Sequence, residues 1–211
     1  MNRTGMGLLG AAGTVFLAVG VPSAPAASGQ DPDWPCVQRK VPELSLAQIW
    51  TGPELPGAAR QWAGDKEIAG LVAELSARRV PLVEAQDHIH EFGKSLPADQ
   101  ADARLLTLVE GLFDHMNAER SQIMSGIQRY ARKQRALAAE LRKEGSELDA
   151  LRAKSGADPE EIDRRTERLT WDTRIFDERV QSLTYVCEVP TLIEQRLYAL
   201  AKTVAEAMGA K

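Results

Sequence analysis

LTLVEGLFDHMNAERSQIMSGIQRYARKQRALAAELRKEGSELDAL, residues 106–151, carries a seam at Leu106, Val109, Phe113, Met116, Arg120, Ile123, Ile127, Tyr130, Gln134, Leu137, Leu141, Glu144, Leu148 and Leu151. The steps alternate between three and four, so the mostly apolar series forms one stripe along a helix that needs a partner. A second series returns through Ile162, Thr166, Leu169, Thr173, Phe176, Val180, Leu183, Cys187, Pro190, Ile193, Leu197, Leu200 and Val204 at the same steps. With a turn near Gly156, Leu151 faces Ile162, Leu137 faces Phe176, Tyr130 faces Leu183 and Phe113 faces Leu200. One arrangement satisfies both stripes, an antiparallel helical hairpin of the coiled-coil kind over residues 97–208. The fold class is therefore all-α.

The turn has its own local chemistry. Gly156 stops the first helix, Asp158 caps the second, Pro159 takes its first position and Glu161 is placed to return the capping interaction. The first long helix is expected to open at Pro97 and run to about Ala153, roughly 85 Å at ~1.5 Å per residue. Gly111, Gly126 and Gly145 lie inside it, and each is expected to soften the helix by up to about 1 kcal/mol relative to alanine. Pro190 removes a backbone donor from the second long helix, so a kink is expected beside Cys187.

Upstream, two shorter helices are expected. One covers Asp65 to about Arg79, with Ile68, Leu71, Val72 and Leu75 on one stripe. The other covers Pro81 to about Phe92, with Val83, Ile89 and Phe92 turned to the core and Gly93 as its stop. Residues 28–56 contain Pro32, Pro35, Pro42, Pro53 and Pro56 among the apolar anchors Trp34, Val37, Val41, Leu44, Ile49 and Trp50. They read as an extended strap lying along the helices, with the helical domain filling 57–211.

Residues 1–27 read as a secretory signal: Arg3 is the positive start, Met6 to Val21 is almost wholly apolar, and Ala24, Ala26 and Ala27 offer cleavage sites. No cysteine occupies a lipid-attachment position after that run. The whole chain has 26 basic and 30 acidic residues; loss of Arg3 with the signal leaves a net charge of −5, which does not suit nucleic-acid binding. Five per cent aromatic and 27% charged residues suit an elongated helical protein better than a thick globule. In an oxidising compartment the two cysteines, Cys36 and Cys187, are expected to pair and pin the strap to the last helix. The expected location is periplasmic or secreted.

Residues that could carry chemistry have simpler readings. Gly5, Gly7 and Gly10 match a dinucleotide fingerprint, and Asn2-Arg3-Thr4 a glycosylation acceptor, but both sit in the signal. Glu84, His88 and Glu91 share a helical face and read as solvated polar surface rather than a metal site. No nucleophile elbow, zinc-protease helix or phosphate loop is present in the sequence, so no catalytic residue and no cofactor is assigned and an enzyme is not expected. Arg129, Arg132, Lys133, Arg135, Arg142 and Lys143 form a basic stretch expected to be neutralised by Asp172, Asp177 and Glu178 across the hairpin, with contact to an anionic partner or to lipid headgroups at a membrane surface as the lesser reading. Arg120 falls in the seam opposite Ile193 and beside Glu194; an ion pair there would fix the register, and if the seam instead opens there Arg120 would be a binding residue.

Two end motifs, Asp31-Pro-Asp-Trp-Pro-Cys36-Val-Gln-Arg-Lys-Val-Pro42 and Ser182-Leu-Thr-Tyr-Val-Cys187-Glu-Val-Pro190-Thr-Leu-Ile-Glu-Gln195, resemble those of a family of secreted proteobacterial proteins to which no activity is attached. The resemblance implies a Gram-negative envelope location. Leu44-Ser45-Leu46-Ala47-Gln48 is similar to the helix-start motif of small periplasmic helical chaperones. The expected role is a helical interaction or scaffold protein, monomer or homodimer, whose partner is another envelope protein. A client-binding periplasmic chaperone is the alternative.

Overall fold

The computed structural model describes residues 31 and 33–209; the expected signal segment and the first residues of the strap lie outside the described residues. Helix α1 is a single turn, Leu46–Ile49, followed by a 3-10 segment, Gly57–Gly64. Helices α2 (Lys66–Ser76) and α3 (Leu82–Ser95) are short, and α4 (Ala101–Arg152) and α5 (Pro159–Gly209) are long. No strand occurs among the described residues. At ~1.5 Å per residue the long helices each span roughly 75–80 Å.

α4 and α5 pack against each other as the seam requires. A Cβ built on Gly145 would lie 3.8 Å from Leu169, Arg165 reaches Glu147 at 3.9 Å, and Arg120 reaches Glu194 at 3.7 Å. All three contacts fall within one residue of the predicted register. The turn follows its sequence chemistry: Gly156 has φ +75°, a region that favours a residue without Cβ, and the Glu160 amide donates to Asp158 Oδ1 at 3.0 Å. Glu161 does not return the cap. It accepts instead from Arg164 and, at 2.7 Å, from Arg165 one turn on, where exposed cations are available.

Burial is uneven along the hairpin. The main buried cluster draws Leu105, Leu106, Leu108, Val109, Leu112 and Met116 from α4, and Ile193, Leu197, Leu200 and Val204 from α5. Ile68, Val72 and Leu75 of α2, Ile89 and Phe92 of α3, and Leu44, Ile49 and Trp50 of the strap complete it. Toward the turn the seam thins: Leu137, Leu141, Leu169 and Phe176 are only half-buried, and Thr173, Val180 and Glu144 are exposed. The hairpin thus has a root embedded in a helical body and an arm in which two helices have mainly each other.

Several local expectations change in three dimensions. α3 continues past Gly93 to Ser95; Gly93 lies inside it, where a Cβ would meet Ala207 at 3.5 Å. Val83 is 69% exposed, and Ala85 takes the inward position. Proline at residue 97 precedes the α4 start at Ala101 by a turn that feeds it, with the Ala101 amide donating to the Pro97 carbonyl at 3.0 Å. The expectation of a proline inside the second long helix holds: α5 runs through Pro190, and Pro190 itself is buried.

The strap is not wholly extended. The Ser45 amide donates to Gln48 Oε1 at 2.9 Å, the side-chain half of a capping box, and this starts α1. The helix-start reading of Leu44 to Gln48 therefore has a local physical cause. Two unforeseen contacts tie α2 down. Arg104 bridges to Asp65 at 2.6 Å and to Glu67 while lying over the Phe92 ring at 5.8 Å, and Arg196 Nε donates to the Leu75 carbonyl at 2.8 Å. The latter serves one of the carbonyls left open at a helix end.

Candidate functional site

The most elaborately built region is where the strap crosses the hairpin. Cys36 and Cys187 form the expected disulfide, with Cα atoms 5.5 Å apart and a sequence separation of 151. On one side of the bridge, Asp33 accepts from Arg132 at 2.9 Å and from Arg135. Asp31 accepts from Lys40 at 2.6 Å and from Gln128 at 3.1 Å, so the strap's acids are spread over both its own chain and α4. Lys40 chiefly, then the Asp33 amide, holds the Asp31 carboxyl below the usual carboxylate range; Arg135 and then Arg132 do the same for Asp33.

On the other side the strap folds over Arg120. That side chain is 4% exposed; its Nη1 donates to the Val41 carbonyl at 2.7 Å, and Nη2 lies 3.7 Å from Glu194. The expected pairing with Glu194 is present but long, and the carboxylate is half-exposed. The short bond to the strap is the one the sequence did not disclose. Burial lowers the Arg120 pKa while Glu194 opposes the shift. Ser121 Oγ donates to the Pro42 carbonyl at 3.2 Å, and the Leu44 amide donates to Asn117 Oδ1 at 3.1 Å. One face of α4 is thereby used to satisfy strap backbone that has no helix or sheet of its own.

The basic stretch is neutralised differently from expectation. Arg132 and Arg135 take Asp33 of the strap, Lys143 reaches Glu147 on its own helix at 3.7 Å, and Glu178 accepts from Arg174 on its own helix at 3.1 Å. Neighbours at i+4 are closer than residues across the hairpin, so intrahelical pairs form where the partner is in range. His88 likewise meets Glu74 of α2 at 2.9 Å rather than Glu84 or Glu91. Among the described residues, no group of three or more His, Cys, Asp or Glu side chains is placed to hold a metal ion.

Beyond the strap, α5 exposes large apolar side chains: Trp171 at 62%, Tyr185 at 79%, Leu192 at 53%, with Val180 and Val186 less so. A shallow crevice beside the disulfide is lined by Val37, Val180, Leu183 and Thr184, and Val37 stands almost free of protein contact. Near the turn a second crevice is charged, lined by Glu144, Glu147, Glu161, Arg164, Arg165 and Arg168.

The class is therefore an all-α protein built on a long antiparallel helical hairpin, with an N-terminal strap pinned to it by a disulfide and by ion pairs. No family model, curated protein or solved structure matches the chain. No helix among the described residues is long and apolar enough to cross a membrane.

Proposed function

We propose that this protein is an exported scaffold of the bacterial envelope, which holds a stiff two-helix arm out from a disulfide-locked body and presents it to another envelope protein. The observation that carries the reading is the arm itself. The main buried cluster ends at Met116 on α4 and begins again at Ile193 on α5, yet the hairpin runs on for several turns with only scattered buried residues such as Met124, Ile127, Ala131, Leu148 and Cys187. Between them lie most of the exposed apolar side chains of α5 and the charged crevice near the turn. No catalytic step is part of the proposal.

Export is supported by the apolar leader, by the resemblance of the two end motifs to a secreted family, and by the disulfide, a bond that persists in oxidising compartments. The chaperone alternative is less well supported. The apolar residues of the strap and short helices that would form a client cradle, Leu44, Ile49, Trp50, Ile68, Val72, Ile89 and Phe92, fill one core.

The test is recovery of the tagged, crosslinked protein from its own envelope fraction, with partners identified by mass spectrometry. The scaffold reading expects one partner in stoichiometric amount. Many unrelated clients at low occupancy would favour the chaperone instead.

A further inference from the structure

The back of α5 carries a second heptad series outside the seam, in which Val189 packs against the core from one edge and Ile175 is half-buried. Trp171, Ile175, Glu178, Ser182, Tyr185, Val189 and Leu192 follow one another at steps of four and three, on the side away from the seam residues Phe176, Leu183 and Cys187. Trp171, Tyr185 and Leu192 are each more than half exposed, and Glu178 and Ser182 are exposed as well. Isolated exposed apolar residues are ordinary; a regular stripe with two aromatics on one helix face is a surface for another helix.

We propose that the occupant is α5 of a second copy of this chain, running antiparallel across a two-fold axis that passes between Glu178 and Ser182. The stripe is complementary to itself in one register. Trp171 then meets Val189 of the other copy, Ile175 meets Tyr185, and Glu178 meets Ser182, whose hydroxyl donates to the Glu178 carbonyl of its own helix at 2.9 Å. Each contact occurs twice by symmetry, as an isologous interface demands. The flanking charges agree with that register: Arg174, which holds Glu178 of its own helix at 3.1 Å, stands opposite Glu188, an exposed carboxylate that accepts from Gln38 at 3.1 Å, on both sides of the axis, so each exchanges an exposed contact for one across the interface. Glu178 also comes within reach of Arg179 across the axis; the two Arg179 side chains approach each other, and these carboxylates offset their repulsion. Val37 of the strap, beside Thr184 and Glu188, stands at the rim of the contact.

Size sets the strength. A stripe of 22 residues is about 33 Å long and, at a width of about 10 Å, covers on the order of 700 Å² over both partners. Stable specific interfaces bury about 1,200–2,000 Å², so this contact belongs to the weak, concentration-dependent class. The dimer covers the exposed apolar side chains of α5 that the scaffold reading also draws on and leaves the charged turn end of the arm free; it is tested without any envelope partner, so its failure and that of the scaffold reading are distinguishable.

Sedimentation equilibrium of the oxidised protein, from low micromolar to about 1 mM, tests it. A reversible monomer–dimer equilibrium is expected, abolished by Tyr185→Glu, a change at an exposed position with little reason to disturb folding. Arg174→Glu and Glu188→Arg should each weaken association at least tenfold, and the double variant should recover most of the loss. Circular dichroism and melting of each variant separate lost association from lost folding. A monomer throughout the range overturns the proposal, as does a dimer indifferent to Tyr185→Glu or a double variant no better than the single ones.

Discussion

Arg120 is the residue where the seam admits a charge, and its environment decides what it is worth. The guanidinium is buried and its shortest bond runs to the Val41 carbonyl, whereas Glu194 is 3.7 Å away and half-exposed. Arg120→Ala should therefore lower stability by about 2 kcal/mol, since it strands a strap carbonyl and opens the seam. Glu194→Ala should cost less than about 1 kcal/mol; urea unfolding of the two variants measures the difference, and equal losses would refute the assignment. The sequence disclosed Arg120 and Glu194 because Arg120 sits on the heptad register and Glu194 adjoins its seam partner Ile193. It did not disclose Val41, whose path over α4 is set by the disulfide and not by any periodicity. Asp33 was missed for the same reason. Its carboxyl is held below its unfolded value by Arg135 and Arg132, so it stabilises the fold above the unfolded pKa, and the contribution fades as pH falls through the depressed one. Asp33→Asn should lower the melting temperature at neutral pH, and the gap from the unmodified protein should narrow as pH falls below the usual carboxylate range. A gap that stays constant over that range would mean the pairing contributes nothing.

Glycines show how far an element's sequence reading reaches. Three of them inside α4 looked alike as helix-softening positions, yet their surroundings differ. A Cβ on Gly111 would come 2.7 Å from Val72 Cγ2 and 3.0 Å from the Trp62 ring, whereas on Gly126 the nearest atom is the mobile end of Arg129 at 3.9 Å. Gly111→Ala should destabilise by about 1–3 kcal/mol through overpacking against α2 and the 3-10 segment. Gly126→Ala should stabilise by up to about 1 kcal/mol through helix propensity alone. Thermal melts of the pair check the opposite signs. The long helices, their register and the Gly156–Pro159 turn were legible because repeated spacing and local capping encode them. The 3-10 segment Gly57–Gly64, the extension of α3 past Gly93 and the outward turn of Val83 were not, because they answer to neighbours brought in from elsewhere in the chain.

For the whole molecule the disulfide joins what the heptads leave separate. Closing a loop of about 150 residues removes chain entropy worth on the order of 5 kcal/mol in the unfolded state, an upper figure for the stabilisation. Cys36→Ser with Cys187→Ser should accordingly lower the melting temperature and release residues 31–43 to hydrogen exchange. Leu44, Ile49 and Trp50 should stay protected, because they are buried with the core independently of the bridge. Loss of protection throughout the strap would mean that the bridge, and not the core, holds its second half. The arm is the part that stability does not explain, and shortening it is the direct test of its role. Removing residues 137–150 and 163–176 takes two heptads from each helix and keeps the turn and the seam register. Recovery of partners from the envelope fraction, compared between the full and shortened proteins, is the decisive measurement. The account predicts one stoichiometric partner with the full arm, and loss of that partner from a shortened protein that still folds and still forms the Cys36–Cys187 bridge. Equal recovery by both proteins would contradict it.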